Sequence, residues 1–282
     1  MEYFTLNNGQ NMPVLGLGTL RIFGKDAEDA VVCAVQNGYR HIDTASSYQN
    51  EKAVGRGIAK CGVPREELFI TVKVWPSDYT RVRTAVEGSY RRLGIDYADL
   101  LLLHHPVGDV YGAWESFEEL VDEGKAKAIG LSNFSKEQVA EFISRFRIKP
   151  ALLTIENHPY APQNELREYL KSEGIILEAW YPLGHADHKL LEEPVILELA
   201  EKYHKTPVQV LLRWHVQIGN SVLPGSKNPV HIKENIDIFD FCLTEEDMKQ
   251  IAGLDSGTLY KEFTDAMRQR YLAWEPDWDD QE

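Results

Sequence analysis

Cysteine is scarce in this sequence, and the spacing of the cysteines argues against a disulfide framework and against a cysteine-rich zinc site. The 282 residues contain only Cys33, Cys61 and Cys242. The number is odd and no pair forms a CxxC motif, whereas disulfide frameworks and cysteine-rich zinc sites repeat cysteines at short intervals. We therefore expect three reduced thiols in a cytoplasmic protein.

The sequence also lacks a long apolar run and a secretory signal. A helix that spans a bilayer needs about 20 mainly apolar residues, and the longest apolar runs here have the length of a buried strand. Residues 1–5 carry neither the basic charge nor the apolar stretch of a signal peptide. These absences predict a soluble chain that does not enter a membrane.

The sequence contains fewer basic than acidic residues. The sequence has 30 Lys and Arg against 44 Asp and Glu, which gives a formal net charge of −14. Nucleic acids and anionic membranes are bound largely through cationic patches. The charge balance therefore predicts that the chain binds neither, and that a small anionic ligand would need a local cluster of donors.

What the sequence does contain is an alternation of short apolar runs with longer segments of helical period. The runs are rich in Val, Ile and Leu and too short for helices, so they predict strands. The predicted strands are residues 14–17, 41–43, 69–74, 99–103, 128–131, 152–155, 175–179 and 222–223. Apolar residues three and four apart predict helices that include residues 27–35, 82–93, 113–121, 139–146 and 208–216.

Eight strands that each lead into a helix predict a parallel sheet covered by helices. Such a sheet is either closed into a barrel or open and doubly wound. The length is typical of one α/β barrel, and no linker rich in Pro, Gly or Ser divides the chain. We therefore predict one α/β domain over residues 1–282.

The two ends of the chain depart from this alternation. Residues 1–13, with Asn8-Gly9 between two short extended runs, predict a β-hairpin that plugs the N-terminal mouth of a barrel. Residues 255–282 show no clear period and predict an irregular tail. Its aromatic residues would pack either at the rim of a pocket or against outer helices; they are Tyr260, Phe263, Tyr271, Trp274 and Trp278.

Four polar residues stand at or near the ends of predicted strands, where barrels place functional groups. They are Asp43, Tyr48, Lys73 and His104. Asp43 could cap the next segment, and Tyr48 and His104 could belong to the core. Lys73 is harder to explain structurally, because a lysine in a buried strand costs free energy unless it is paired or functional.

Together the four residues suit the reduction of a carbonyl group. A tyrosine is a weak acid, with a reference pKa of about 10, and an adjacent ammonium stabilises its phenolate. A carboxylate paired with that lysine would keep the lysine charged. An imidazole would orient the carbonyl oxygen by hydrogen bonding.

The sequence resembles the aldo-keto reductase family over nearly its whole length. The motifs are GYRHIDTA at residues 38–45 followed by Tyr48, Glu51 and Gly55, TVKVW at 71–75, the strand at 99–106, GLSNF at 130–134, ENHPY at 156–160, AWYPLG at 179–184, and Gly225-Ser226 before Glu234-Asn235. Each motif alone is weak, but their order and spacing match the family. The resemblance implies a single (β/α)₈ TIM barrel and an NADP(H)-dependent oxidoreductase.

The resemblance also implies residue roles. Tyr48 would be the general acid, supported by Lys73 and Asp43, and His104 would orient the substrate. The implied cofactor site comprises Gly18, Thr19, Asp43, Ser132, Asn133, Thr154, Trp180, Leu183, Gly184, Ser226, Lys227, His231, Glu234 and Asn235. Substrate specificity would come from Leu20, Phe23, Trp75, His105 and the tail. Many relatives are monomers, so we expect a monomer, with a dimer as the alternative.

The sequence departs from the family pattern at three places. Thr154 stands where the family often has Gln, and His105 stands where Trp usually follows the motif histidine. Gly225 and His231 replace the Lys and Arg of members specific for the 2′-phosphate, although Lys227 could supply the lost charge. We therefore expect NADP(H), with NAD(H) as the alternative cofactor.

Three other interpretations stay open. His104 and His105, with His185 and His188, suggest a metal site. However, adjacent strand residues point to opposite faces, and no carboxylate or cysteine completes a ligand set. We therefore predict no metal. A buried Lys73 would also suit a Schiff-base lyase on the same barrel. A barrel that binds nucleotide without turnover is the third.

Overall fold

The computed structural model describes residues 1–281. In this part of the chain ten strands form two sheets. The strands are β1 (Tyr3–Thr5), β2 (Asn11–Pro13), β3 (Leu17–Gly18), β4 (His41–Asp43), β5 (Phe69–Val74), β6 (Ala98–Leu103), β7 (Ala126–Ser132), β8 (Leu152–Glu156), β9 (Ile176–Trp180) and β10 (Ser221–Val222). Of the eight strands in the larger sheet, β4 and β5 coincide with predicted strands and the other six lie within a few residues of theirs.

Helices follow the strands of the larger sheet. Over residues 1–281 they are α1 (Gly24–Gln36), α2 (Glu51–Lys60), α3 (Val82–Leu93), α4 (Val110–Asp122), α5 (Lys136–Arg145), α6 (Asn164–Ser172), α7 (His188–Leu191), α8 (Pro194–Tyr203), α9 (Pro207–Gln217), α10 (Pro229–Ile236), α11 (Glu245–Ala252) and α12 (Asp265–Ala273). Short 3₁₀ helices cover Ser46–Tyr48, Arg65–Glu67, Pro76–Asp78 and Gly184–Ala186. None of the helices in these residues is both long and apolar enough to cross a membrane.

The larger sheet is a closed parallel barrel. Its strands pair in parallel in the order β3 to β10. A parallel bridge between Leu15 and Val222 joins the first and last strands, and Val222 N–H donates to Val14 O at 3.0 Å. This closure excludes the open, doubly wound alternative and confirms the predicted (β/α)₈ barrel.

The predicted N-terminal hairpin is confirmed. β1 and β2 pair antiparallel, with Tyr3 opposite Pro13. The turn passes through Gly9 at φ 85°, a conformation that favours glycine. Leu6 and Met12 are buried in one cluster with residues at the N-terminal ends of barrel strands, including Phe69 and Leu152. The hairpin therefore plugs the bottom of the barrel.

Local signals begin and end the helices of the barrel. Thr206 caps α9 by accepting a hydrogen bond from Gln209 N–H, with Pro207 in the first turn. Gly94 ends α3 in the left-handed conformation at φ 68°. These caps fix where each helix leaves the barrel and so position the loops around its mouth.

The tail is irregular except for α12, a helix that the sequence did not predict. Thr264 caps it by accepting from Met267 N–H, but none of its residues is buried. Because no face of α12 packs into a core, its sequence has no apolar period to detect. The tail crosses the mouth of the barrel, where Trp75 Nε1 donates to Tyr271 O at 2.9 Å.

Candidate active site

A cleft of about 510 Å³ opens at the C-terminal ends of the barrel strands. It collects residues from the ends of all eight barrel strands and from the tail. The predicted residues that line it are Gly18, Leu20, Asp43, Tyr48, Lys73, Trp75, His104, His105, Ser132, Asn133, Thr154, Trp180 and Leu183. Residues far apart in sequence thus meet in one place, as parallel barrels require.

The floor of the cleft is formed by Asp43, Lys73 and Tyr48. Asp43 ends β4, Lys73 lies inside β5, and Tyr48 ends the short helix that follows β4. The Lys73 ammonium donates to both Asp43 carboxylate oxygens and, at 2.9 Å, to the Tyr48 hydroxyl. Both charged side chains are about 3% exposed, so each depends on the other to offset its lost hydration.

Burial and pairing oppose each other in this cluster. Burial works to lower the pKa of Lys73, but attraction to Asp43 and Tyr48 outweighs it and raises that pKa. Burial raises the pKa of Tyr48 to about 12, although Lys73 acts in the lowering direction. Lys73 is therefore held as a cation and Tyr48 as a neutral phenol throughout the physiological range.

His104 and His105 follow the end of β6 and both enter the cleft. Their rings stack with centroids 4.7 Å apart and planes 7° apart. The prediction that they point to opposite faces was wrong, because strand alternation ends at Leu103. Burial lowers the pKa of both imidazoles, that of His105 to about 3. Both rings are neutral, and His104 Nδ1 lies 3.3 Å from Ser47 Oγ.

Asn133 and Trp180 form a polar and aromatic wall beside the histidines. Trp180 Nε1 donates to Asn133 Oδ1 at 2.9 Å, and Asn133 Nδ2 donates to His104 O at 3.1 Å and to Ser132 Oγ at 2.9 Å. Asn133 adopts φ 67°, a conformation that asparagine tolerates better than most residues. The wall offers an amide and an indole face to a planar ligand.

Some predicted cofactor residues lie away from the cleft lining. They are Thr19, Gly184, Ser226, Lys227, His231, Glu234 and Asn235. Thr19 is buried and donates to Asp43 O at 2.9 Å, and Gly184 packs beneath the Tyr260 ring. Most of the others stand on α10 or just before it, beyond Gly225, which does line the cleft. Phe23 is 55% exposed and is not part of the lining.

Thr154 does not present a free hydroxyl to the cleft. Its Oγ1 donates to Glu178 Oε1 at 3.1 Å, and Ser221 Oγ donates to Glu178 Oε2 at 3.0 Å. Glu178 is fully buried, and burial together with the charge of Asp43 raises its pKa to about 7. Sequence reasoning missed this carboxyl, although its place in the apolar run 175–179 was the same signal that singled out Lys73.

Further lining residues were not predicted from the sequence. They include Arg21, Ser47, Tyr181 and Lys261. Arg21 Nη1 lies 3.3 Å from His185 Nε2 across the mouth. Tyr271 and Trp274 place the tail at the rim of the cleft, one of the two expectations for its aromatic residues. Their contacts join segments some 200 residues apart, which no local pattern reveals.

Four buried histidines make the stability of the protein depend on pH. Burial lowers the pKa of His41, His104, His105 and His215. Below about pH 6.5 the unfolded chain binds protons that these folded imidazoles do not, so stability is full above that pH and falls with acidification. Glu178 and Asp43 act in the opposite direction, because burial raises the pKa of both carboxyls.

We expect the free energy of unfolding to fall by roughly 3 kcal/mol between about pH 7.5 and about pH 5.5. Urea denaturation at both pH values measures this. His215 is remote from the predicted catalytic residues, and its Nε2–H donates to Pro182 O at 2.9 Å. The His215→Asn variant should show a shallower slope; a stability that is flat over this range would contradict the neutral state of the four rings.

The fold and the cleft define a barrel with a buried carboxylate–lysine–tyrosine cluster at the C-terminal ends of its strands. Comparison with known proteins assigns the chain to a family. The model of the Aldo/keto reductase family matches residues 14–256. The chain belongs to the aldo/keto reductase family, whose members are oxidoreductases acting on carbonyl compounds.

Three similar proteins illustrate the relationship. An aldo-keto reductase of Mycolicibacterium smegmatis is 46% identical over 90% of this chain and 93% of its own length. A glyoxal reductase of Bacillus subtilis is 46% identical over 89% of this chain and 91% of its own. The crystal structure of a Bombyx mori aldo-keto reductase in complex with NADP has a TM-score of 0.89 at 33% identity, covering 94% of this chain and 96% of that one.

Proposed function

We propose that the chain is an NADP(H)-dependent reductase of aldehydes and ketones in which Tyr48 is the general acid. The observation that carries the proposal is the 2.9 Å contact between Lys73 Nζ and the Tyr48 hydroxyl, with Asp43 bound to the same ammonium. The Tyr48 phenol and the Lys73 cation thus lie in contact in the lining of the cleft. This is what a proton transfer to a developing alkoxide requires.

The residues of the chain divide the work as follows. A bound nicotinamide nucleotide supplies the hydride. Tyr48 donates its proton to the carbonyl oxygen, and Lys73 stabilises the phenolate that remains. His104 is neutral, and with Nδ1 near Ser47 its Nε2–H is left to hold the carbonyl oxygen by a hydrogen bond.

The cleft offers groups for the nicotinamide end of a dinucleotide. The Trp180 indole and the Asn133 amide provide a face and polar groups for a nicotinamide ring. Toward the other end of the cleft the backbones of Gly18 and Gly225 lie close together. A Cβ on Gly225 would lie 2.9 Å from Gly18 O. The family membership and the NADP-bound Bombyx mori relative support the same cofactor.

Lys227 is the residue we propose for the 2′-phosphate. Its Nζ lies 2.8 Å from Asp26 Oδ2, and the two side chains are 67% and 56% exposed. Surface pairs of this kind contribute about 0–1 kcal/mol, so a phosphate can displace Asp26. A charge-assisted hydrogen bond to phosphate is stronger than such a pair, which favours NADPH over NADH.

Titration with NADPH and NADH, followed by tryptophan fluorescence, tests the cofactor assignment. We expect tighter binding of NADPH and a roughly tenfold loss of NADPH affinity in Lys227→Met. Lys25→Met is the matched control, because Lys25 also forms an exposed pair, with Asp29. Equal affinities for both nucleotides would overturn the 2′-phosphate assignment, and binding of neither would overturn the proposed function.

The lyase alternative is weakened by the state of Lys73. A Schiff base forms from a neutral amine, whereas Asp43 and Tyr48 raise the pKa of Lys73 and hold it charged. Borohydride treatment in the presence of a carbonyl substrate should therefore leave Lys73 unmodified. A covalent adduct on Lys73 would favour the lyase.

A further inference from the structure

Lys261 is a lysine of the tail whose side chain enters the cleft. It is half-buried and lines the same cavity as Tyr48 and His104. Its Nζ lies 5.8 Å from the ring centre of Trp180, 5.5 Å from that of Phe263 and 6.0 Å from that of Tyr271. Aromatic faces attract a cation only modestly at such distances, and they leave its charge unneutralised.

The backbone before Lys261 is fixed on both sides. Tyr260 N–H donates to the buried carboxylate of Glu156, and the Tyr260 hydroxyl donates to Asp187 Oδ2 at 2.7 Å. The Tyr260 ring packs edge-on against His158 with centroids 4.8 Å apart. The position of Lys261 is therefore set by contacts with β8 and with the loop after β9, and these contacts direct its side chain into the cleft.

Lys261 has no anionic partner among residues 1–281. Lys227, by contrast, pairs with Asp26. In the lining of the cleft within these residues, Asp43 is the one carboxylate, and it is bound to Lys73. Lys261 thus presents an uncompensated charge to the cavity.

The charge of Lys261 acts on the substrate end of the cleft. After burial, it is the largest contribution that lowers the pKa of His105. His105 stacks on His104 on one side and on Tyr271 on the other, with ring centroids 4.4 Å from the latter. Lys261 Nζ lies 6.0 Å from the Tyr271 ring centre, so a ligand group bound at Lys261 would lie beside this stack of rings.

A cationic cleft in a chain of net charge −14 calls for a specific cause. The negative net charge of the protein repels anions, but a local cation in the cleft attracts them there. Arg21 also lines the cleft and lies beside His185. Lys261 is the cation that stands next to the histidines and the tail aromatics.

We propose that Lys261 binds a carboxylate on the substrate, so that this enzyme selects aldehyde or keto acids over neutral carbonyl compounds. The inference rests on the proposed reductase function of the same cleft. The aromatic rings around Lys261 would pack against the carbon skeleton between the carbonyl and the carboxylate. Lys261 would then fix the far end of the substrate while Tyr48 and His104 hold the reacting oxygen.

Two aldehydes of the same skeleton test the proposal. These are 4-carboxybenzaldehyde, an anion, and its neutral methyl ester, each reduced with NADPH. We expect wild type to prefer the acid in kcat/KM, and Lys261→Met to lower the acid-to-ester ratio about tenfold or more, mainly through KM. Lys261→Arg should retain the preference. Lys171→Met removes an equal charge from an exposed site on α6 and should keep the wild-type ratio.

The outcomes separate this inference from the proposed function. If both aldehydes are reduced with the same kcat/KM, or if Lys261→Met keeps the wild-type ratio, the carboxylate assignment is overturned and the reductase assignment stands. If Lys261→Met instead weakens NADPH binding with an unchanged ratio, Lys261 contacts the nucleotide and the inference is wrong.

A binding measurement decides the point even if neither aldehyde is turned over. Terephthalate carries a carboxylate at each end and cannot be reduced by hydride at an aldehyde. We expect it to quench tryptophan fluorescence in wild type and in Lys171→Met, with affinity about tenfold lower in Lys261→Met. Equal affinity in all three proteins would overturn the inference.

Discussion

Replacing Tyr48 with phenylalanine will lower kcat for carbonyl reduction by about 10²–10⁴-fold, the contribution of a positioned general acid. The affinity for NADPH should stay within a few fold of wild type. The variant removes one oxygen from a side chain held at 2.9 Å from Lys73 and leaves the ring in place. Single-turnover reduction and fluorescence titration measure the two effects separately.

Tyr90→Phe is the control for the loss of a buried phenol. Its hydroxyl donates to Lys125 O at 2.7 Å near the start of β7, at the opposite end of the barrel. This variant should lose about 1 kcal/mol of stability and keep its kcat. If Tyr48→Phe lost nucleotide affinity and turnover in equal measure, the substitution would have damaged the cleft, and the acid assignment would lack support.

Replacing Lys73 with methionine will destabilise the fold by about 3–5 kcal/mol, because it leaves the Asp43 carboxylate buried without its partner. The change also removes the cation beside Tyr48, so turnover should fall with it. Urea denaturation near neutral pH measures the stability. The pair is about 3% exposed on each side, so water cannot replace the lost contact.

The double variant Lys73→Met with Asp43→Asn should recover part of that stability while turnover stays low. It removes the unpaired charge together with its former partner. If Lys73→Met alone were as stable as wild type, Asp43 would be protonated in the folded protein, and the ion pair would not be the feature that holds the cleft floor. The two variants therefore separate stability from catalysis at the same contact.

Much of the barrel was predictable because its signals are local. The strands at 41–43 and 69–74 were predicted with the bounds that the structure shows. Strands buried on both faces must be apolar throughout, so a short apolar run is visible within a single segment. The tail helix α12 escaped detection, since it buries no face and its sequence carries no period.

The candidate site was predictable to a smaller extent. Asp43, Tyr48, Lys73 and His104 were found because polar residues at the ends of apolar strands are costly and conspicuous. The stacking of His105 on His104 depends on where β6 ends, and the Thr154–Glu178 hydrogen bond depends on the register of β8 against β9. Neither can be read from a single segment.

The sequence by itself determined the parallel α/β architecture, the caps and the residue types that meet at the strand ends. These features follow from burial and backbone preference along short stretches of chain. Only the tertiary structure decided that Lys261 enters the cleft and that Tyr271 and Trp274 form its rim. The reason is physical: the tail is held by contacts with distant side chains, such as that between Trp75 Nε1 and Tyr271 O, and its own residues have no period that would place it.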